Sequence, residues 1–279
     1  MGHAAGSVLR HRIGGYREFA PTREAARVFE ATWSHHAPPG PLARGAAHRV
    51  LPEMAVSVAF MTSRSADGAP RDGEAVVIGP KLRPQVFNLV PGRESAAVRL
   101  KPEWVAPILG IDALAIEGGI IDLAAVRPAL AARLHELLMG TRSAADAIAV
   151  LARVVTDGPA SRSEPRRSAA TALELVRRSD GRIPSERIAG EVGVSMRHLR
   201  RQVRDATGVS PKSYARVVRF LASIKLADAS RSPAWADIAA ACGYCDQSHL
   251  IRDSLALTGH SPRELYLERR RQIVAMSET

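Results

Sequence analysis

The sequence predicts an α+β protein of two domains. The first is a small β sandwich or barrel with flanking helices, and the second is all-α with two helix–turn–helix units. Three observations predict this. Short runs rich in Val and Ile, separated by Gly, Pro and Asp, fill residues 48–100. From residue 121 the apolar residues recur at spacings of three and four. A helix-stop and helix-start punctuation then occurs twice, 51 residues apart.

A chain of 279 residues is long enough for two cores, and 46% hydrophobic with 24% charged residues is a globular composition. No apolar run approaches the roughly 20 residues of a membrane span, and Met1 to Arg10 lacks the apolar stretch of a secretory signal. Cys242 and Cys245 are too close in sequence to form a disulfide framework. A reducing, cytoplasmic setting with no membrane contact is therefore expected. The net charge of +11 is unevenly placed. Residues 177–225 carry 12 Lys/Arg against 4 Asp/Glu, whereas residues 226–279 carry 6 against 7. A basic stretch of that density is the footprint of a phosphate-binding surface.

In the first domain, residues 1–158, the order of elements follows from turn chemistry and period. Residues 16–22 end in a turn, and an amphipathic helix is expected over 22–33 through Ala26, Val28, Phe29 and Trp33. Residues 35–41 read as loop because of their three prolines and one glycine. Strands are expected over 54–62, 74–78, 85–90 and 95–100, helix or turn over 102–111, and helices over 121–139 and 143–155. Residues 159–168, rich in Ser and Pro, read as the linker.

His35, His36 and His48 invite a metal, but no helix or strand spaces them as ligands, so no metal or cofactor is expected. Glu53, Glu74 and Arg99 lie where they could line a ligand pocket. No nucleophile–base pair, P-loop or dinucleotide motif is present, so the chain reads as a non-enzyme.

The second domain, 169–279, opens with a helix over 169–178 that turns Leu173 and Val176 inward. The first unit spans 185–204. A short helix capped at Ser185 meets Gly193, and Ser195 caps a helix whose Met196, Leu199 and Val203 form one stripe. Arg197, Arg200, Arg201 and Arg204 remain on or beside the other face. Gly208, Ser210 and Pro211 stop that helix and start a long one over 211–228, its apolar residues being Tyr214, Val217, Val218, Leu221, Ile224 and Leu226. The second unit spans 236–255, where Thr258-Gly259-x-Ser261-Pro262 repeats Thr207-Gly208-x-Ser210-Pro211 and Leu250 and Arg252 repeat Leu199 and Arg201. Taken alone, the first unit is also compatible with a solvated cationic helix; the repeat argues against that.

These residues carry a resemblance. Ile238-Ala239-x-x-Cys242-Gly243-Tyr244-x-Asp246-Gln247-Ser248-His249-Leu250-x-Arg252, with the matching first repeat, resembles AraC/XylS-type transcriptional regulators over about residues 168–268. Val203 and Ser254 stand where that family usually has Phe, and Leu265 where the first repeat has Tyr214. Ser254 at a core position predicts a looser second unit. Tyr16-Arg17-Glu18, Trp33, residues 49–53, Gly79-Pro80 and residues 98–102 followed by Leu109-Gly110 are similar to a cupin-like, sensor-like domain found ahead of such units. Glu53-Met54 stands where that group often has Asp-Gly.

The resemblance implies a seven-helix domain binding double-stranded DNA, its two recognition helices in successive major-groove segments about one turn (~34 Å) apart. It implies a small-molecule effector or homodimerisation through the first domain, and RNA polymerase as a partner. The alternative is a DNA-targeted protein whose first domain is a docking module without a ligand. Arg197, Arg200 and Arg201 are candidate base readers, while Arg204, Lys212 and Arg216 suit phosphate. Ser195 and His198 complete the first contact set, and Gln247, Ser248, His249 and Arg252 make the second. Cys242-Gly243-Tyr244-Cys245 with His249 could be read as zinc or redox chemistry, but the repeat accounts for Cys242 as core and Gly243 as turn.

Overall fold

The computed structural model describes residues 9–13, 15–37, 47–88, 90–158 and 164–275. The first domain is built on a seven-stranded antiparallel sheet in the order β1-β2-β3-β8-β5-β6-β9. Its strands are β1 (Leu9–Ile13), β2 (Tyr16–Phe19), β3 (Phe29–His36), β5 (Val56–Arg64), β6 (Pro70–Ile78), β8 (Arg93–Leu100) and β9 (Ile120–Asp122). The sheet is open, with β1 and β9 at its edges. A separate two-stranded ribbon pairs β4 (Ala47–Val50) with β7 (Gln85–Asn88).

Alternation on the central strands gives the sheet two faces. Val56, Val58 and Phe60 of β5 and Ala96, Val98 and Leu100 of β8 face a core closed by helices. These are α1 (Val105–Leu109), α2 (Leu123–Val126), α3 (Pro128–Leu138) and α4 (Ala144–Asp157). On the opposite face Ala59, Val76 and Ala97 pack with Trp33, Met61 and Ile78. The ribbon lies over that side and encloses a cavity, described below.

Three local expectations are corrected. Residues 22–33 hold a single 3-10 turn at Ala25–Arg27, and Phe29–His36 is a central strand; the run 35–41 therefore begins as strand, and residues 38–46 lie outside those described. Val28, Phe29 and Trp33 fit helical spacing, but pairing with β8 along seven registered positions overrides it. The helix expected over 121–139 is interrupted. Ile120–Asp122 adds an edge strand to β6, Asp122 caps α2, and Pro128 begins α3. The short helix expected to be capped at Ser185 takes Pro184 at its N-cap instead.

The second domain has seven described helices, α5 (Arg167–Arg178), α6 (Ser185–Val192), α7 (Met196–Thr207), α8 (Pro211–Asp228), α9 (Trp235–Ala241), α10 (Gln247–Thr258) and α11 (Pro262–Ala275). Helix α8, whose 18 residues rise about 27 Å, is the spine between the units. One face packs with α5, α6 and α7 through Leu173, Ile188, Leu199, Val203, Tyr214 and Val217. Farther along, Ala227 joins Ile238, Cys242, Tyr244, Leu250 and Tyr266. Leu226, expected inward, is 46% exposed. Ser254 is fully buried and donates its hydroxyl to the His260 carbonyl at 2.7 Å, so this small core position is closed by a hydrogen bond.

The domains meet along α8. Leu51, in the segment between the ribbon and β5, packs with Phe220, Ile224 and Leu265, and Met54 enters the core of the first unit. Arg177 donates to both carboxylate oxygens of Glu103 at 3.0 and 2.6 Å, and Arg49 donates to Glu268 at 3.0 Å. Gly208 has φ +77°, and Leu114 lies against it where any Cβ would clash. Among the described residues no helix is long and apolar enough to cross a membrane.

Candidate nucleic-acid interface

The two units are the same structure twice. Ser195 accepts the His198 N–H at 3.3 Å and Asp246 accepts the His249 N–H at 2.6 Å, so α7 and α10 start with equivalent caps. Gly208 and Gly259 end them in the left-handed region at φ +77° and +74°. Just before, Thr207 and Thr258 each donate to a carbonyl four residues back at 2.7 Å, from Val203 and Ser254. Ser210 and Ser261 then cap the following helices. Leu199 and Leu250, at equal positions, are both fully buried.

This framework decides what each helix presents. Leu199, Gln202 and Val203 turn inward, so Arg197, Arg200, Arg201 and Arg204 are exposed together. Among the described residues no carboxylate forms an ion pair with any of the four. Lys212, in the first turn of α8, is likewise exposed and unpaired. A surface with five exposed cationic groups, none of them ion-paired among the described residues, is able to displace counterions from a polyanion.

Two of the expected contact residues have internal duties. Arg216 donates to Asp253 at 2.8 Å, bracing α8 against α10, and is only half-exposed. His198 is half-buried between Arg201 and Gln202, its Nδ1 3.2 Å from Arg201 and its Nε2 2.7 Å from Gln202. In the second unit Gln247, Ser248 and Arg252 are exposed, while His249 sits edge-on to Tyr244 at 5.1 Å. Cys242 is buried and Cys245 exposed, both free, and burial pushes the Cys242 thiol up. Among the described residues no His/Cys/Asp/Glu group has a metal-holding arrangement.

The sheet domain holds a cavity of about 220 Å³ between its second face and the ribbon. Trp33, Met61, Ile78 and Phe87 supply its apolar walls, and Tyr16, His35, Glu53, Lys81 and Arg99 its polar ones. Of the residues expected near a pocket, Glu53 and Arg99 line it; Glu74 faces solvent and pairs with Arg93 at 3.0 Å. Arg99 reaches Glu18 at 2.7 Å and Glu53 at 3.2 Å, while its Nε is buried without a hydrogen-bond acceptor among the described residues. Burial opposes its charge, but Glu53, Tyr16 and Glu18 outweigh burial and hold it cationic. Lys81, only 3% exposed, has among the described residues no closer acceptors than the Gly79 carbonyl at 3.4 Å and Glu53 at 3.8 Å, and burial pushes its pKa down. Sequence reading missed Lys81 because nothing local marks a lysine whose surroundings come from a distant ribbon.

Residues 188–269 match the family model described as a helix-turn-helix domain. The C-terminal region is therefore a helix-turn-helix domain, and its motif residues resemble those of AraC-type regulators. No curated protein matches the chain by sequence. Solved structures similar in outline include an AraC-type transcriptional regulator from Chromobacterium violaceum, 25% identical over 38% of this chain and 91% of that one, with a TM-score of 0.34. The C-terminal domain of AraT, a response regulator from Geobacillus stearothermophilus, is 21% identical over 38% of this chain and 86% of its own, TM-score 0.34. ToxT from Vibrio cholerae covers 80% of this chain and 97% of its own at 14% identity and a TM-score of 0.44. At such scores the likeness says nothing about ligand or site.

Proposed function

We propose that the chain is a sequence-specific DNA-binding transcription regulator, not an enzyme, that inserts α7 and α10 into successive major-groove segments. One observation carries this reading: the unit is built twice with matching caps, and the exposed side of its first recognition helix holds four unpaired arginines. Arg197, Arg200 and Arg201 take the base edges, where an arginine bridging guanine O6 and N7 discriminates by roughly 1–3 kcal/mol. Arg204 and Lys212 take phosphate, as do Ser195 and the start of α8. Arg216 serves DNA indirectly, by setting α10 through Asp253. Gln247, Ser248, His249 and Arg252 form the second contact set.

The first domain regulates. A cavity lined by the buried Lys81 and the ion-paired Arg99 supports a small-molecule sensor over a docking module without a ligand, because a filled sheet face would offer nothing to bind. Segment 49–54 supplies a path, since Val50 and Glu53 line the cavity while Leu51 and Met54 pack into the DNA-binding domain. Homodimerisation and contact with RNA polymerase, in the cytoplasm, complete the reading.

The test is selection of the full chain against randomised duplexes, with sequencing of the bound fraction. Two enriched blocks about one helical turn apart are expected. No enrichment at any salt concentration would overturn the proposal.

A further inference from the structure

We propose that the second unit reads DNA by apolar contact, with Ile251, at the position of the base-reading Arg200, seated on a thymine methyl group and Leu255, at the position of the phosphate-facing Arg204, extending the apolar strip toward the backbone, while the first unit reads guanine with arginine. The inference rests on the DNA-binding function above and names the base composition that each half of that site takes.

The internal repeat provides the register. Positions 197, 200, 201 and 204 of α7 correspond, 51 residues on, to 248, 251, 252 and 255 of α10. The equivalence is structural as well, because Leu199 and Leu250 are buried alike and Thr207 and Thr258 make the same hydrogen bonds. Where α7 displays Arg, Arg, Arg and Arg, α10 displays Ser248, Ile251, Arg252 and Leu255. Leu255 is 47% exposed, Ile251 is half-buried, and neither belongs to an apolar cluster of the described residues.

A single exposed leucine is ordinary. Two branched aliphatic side chains four residues apart, on the face where the sister helix is fully cationic, form a strip with a defined position. Arg252 stands beside them, exposed and without a carboxylate partner among the described residues, and ties that face to a polyanion rather than to an apolar protein partner. In the major groove the one apolar group on a base edge is the thymine C5 methyl. The charge division agrees, since residues 226–279 hold 6 Lys/Arg against 7 Asp/Glu and offer little phosphate attraction.

The experiment offers the full chain two randomised duplex pools, one with thymine and one with deoxyuridine at every thymine position, which removes the methyl alone. Wild type is expected to recover both blocks from the thymine pool and only the guanine-containing block from the uracil pool. On a fixed selected duplex, one thymine-to-uracil change in the second block should weaken binding about fourfold, the factor equivalent to ~0.8 kcal/mol per buried CH₂. Ile251→Ala, at a half-buried helix position where Ala is well tolerated, should lose this discrimination and keep the first block, whereas Leu255→Ala, on the exposed side, should keep it. Equal recovery of the second block from both pools overturns the inference, as does discrimination that survives in Ile251→Ala. A guanine block alone from both pools overturns it too, while leaving DNA binding standing. Enrichment from neither pool sinks the DNA-binding function and the inference together.

Discussion

Arg216 Nε donates to Asp253 Oδ1 at 2.8 Å, joining the long helix α8 to α10 of the second unit. Asp253 occupies the position that Gln202 has in the first unit, so the repeat departs from itself where the two units must be held in register. Asp253→Ala leaves a half-buried guanidinium without its partner, and about 1.5–3 kcal/mol of stability is expected to go. Urea unfolding of the full chain measures this, and an unchanged midpoint would show the pair to be idle.

Arg204 and Lys212 are assigned to phosphate, so their loss should weaken every duplex alike. Arg204→Ala is expected to flatten the plot of log affinity against log salt by about 0.9, the contribution of one phosphate. Arg200→Ala should instead blur preference at one base pair. Binding titrations across a salt series on cognate and scrambled duplexes separate the two behaviours.

Two half-buried carboxylates, Glu18 and Glu30, give opposite responses to pH. Burial alone would raise the Glu18 carboxyl, but the Arg99 charge and hydrogen bonds from Arg99 and Tyr16 bring it down to about 2. Its folded pKa lies below the ordinary value, so its contribution is complete above about pH 4.5 and is lost as pH falls toward 2. For Glu30, burial outweighs the pull of Arg177 and raises the pKa. The folded state then holds the proton longer than the unfolded chain, and stability declines as pH rises past the ordinary carboxylate range. Glu18→Gln should remove part of the acid-side loss and Glu30→Gln part of the decline above it. Denaturant midpoints measured across that range for the three proteins check both signs.

Leu51 is 8% exposed and belongs to a first-domain segment, yet its packing partners Phe220, Ile224 and Leu265 all lie in the second domain. Leu51→Ala is expected to cost about 2–5 kcal/mol through lost burial and the cavity left behind. If the segment also transmits from the cavity, the variant should bind DNA while losing response to whatever occupies that cavity. A stability change under 1 kcal/mol would mean that the domains are not joined here.

The sequence by itself determined the second half of the chain closely. Helix α8 begins and ends at the residues that Ser210, Pro211 and the apolar period indicate, and the repeat marks both units. Those signals are local: a cap hydroxyl, a left-handed glycine and a stripe at spacings of three and four act within one or two turns. The exposed arginines of α7 follow from the same stripe, since whatever does not face Leu199 and Val203 faces solvent. Tertiary structure decided the rest. Phe29–His36 is a strand because β8 lies beside it, and Ile120–Asp122 because β6 does. A strand's hydrogen bonds go to residues far along the chain, so no window of local sequence contains them. The same holds for the cavity around Lys81, the docking of Leu51 and the direction taken by Arg216. Each depends on which distant surface arrives, and burial is a property of that arrival rather than of the residue.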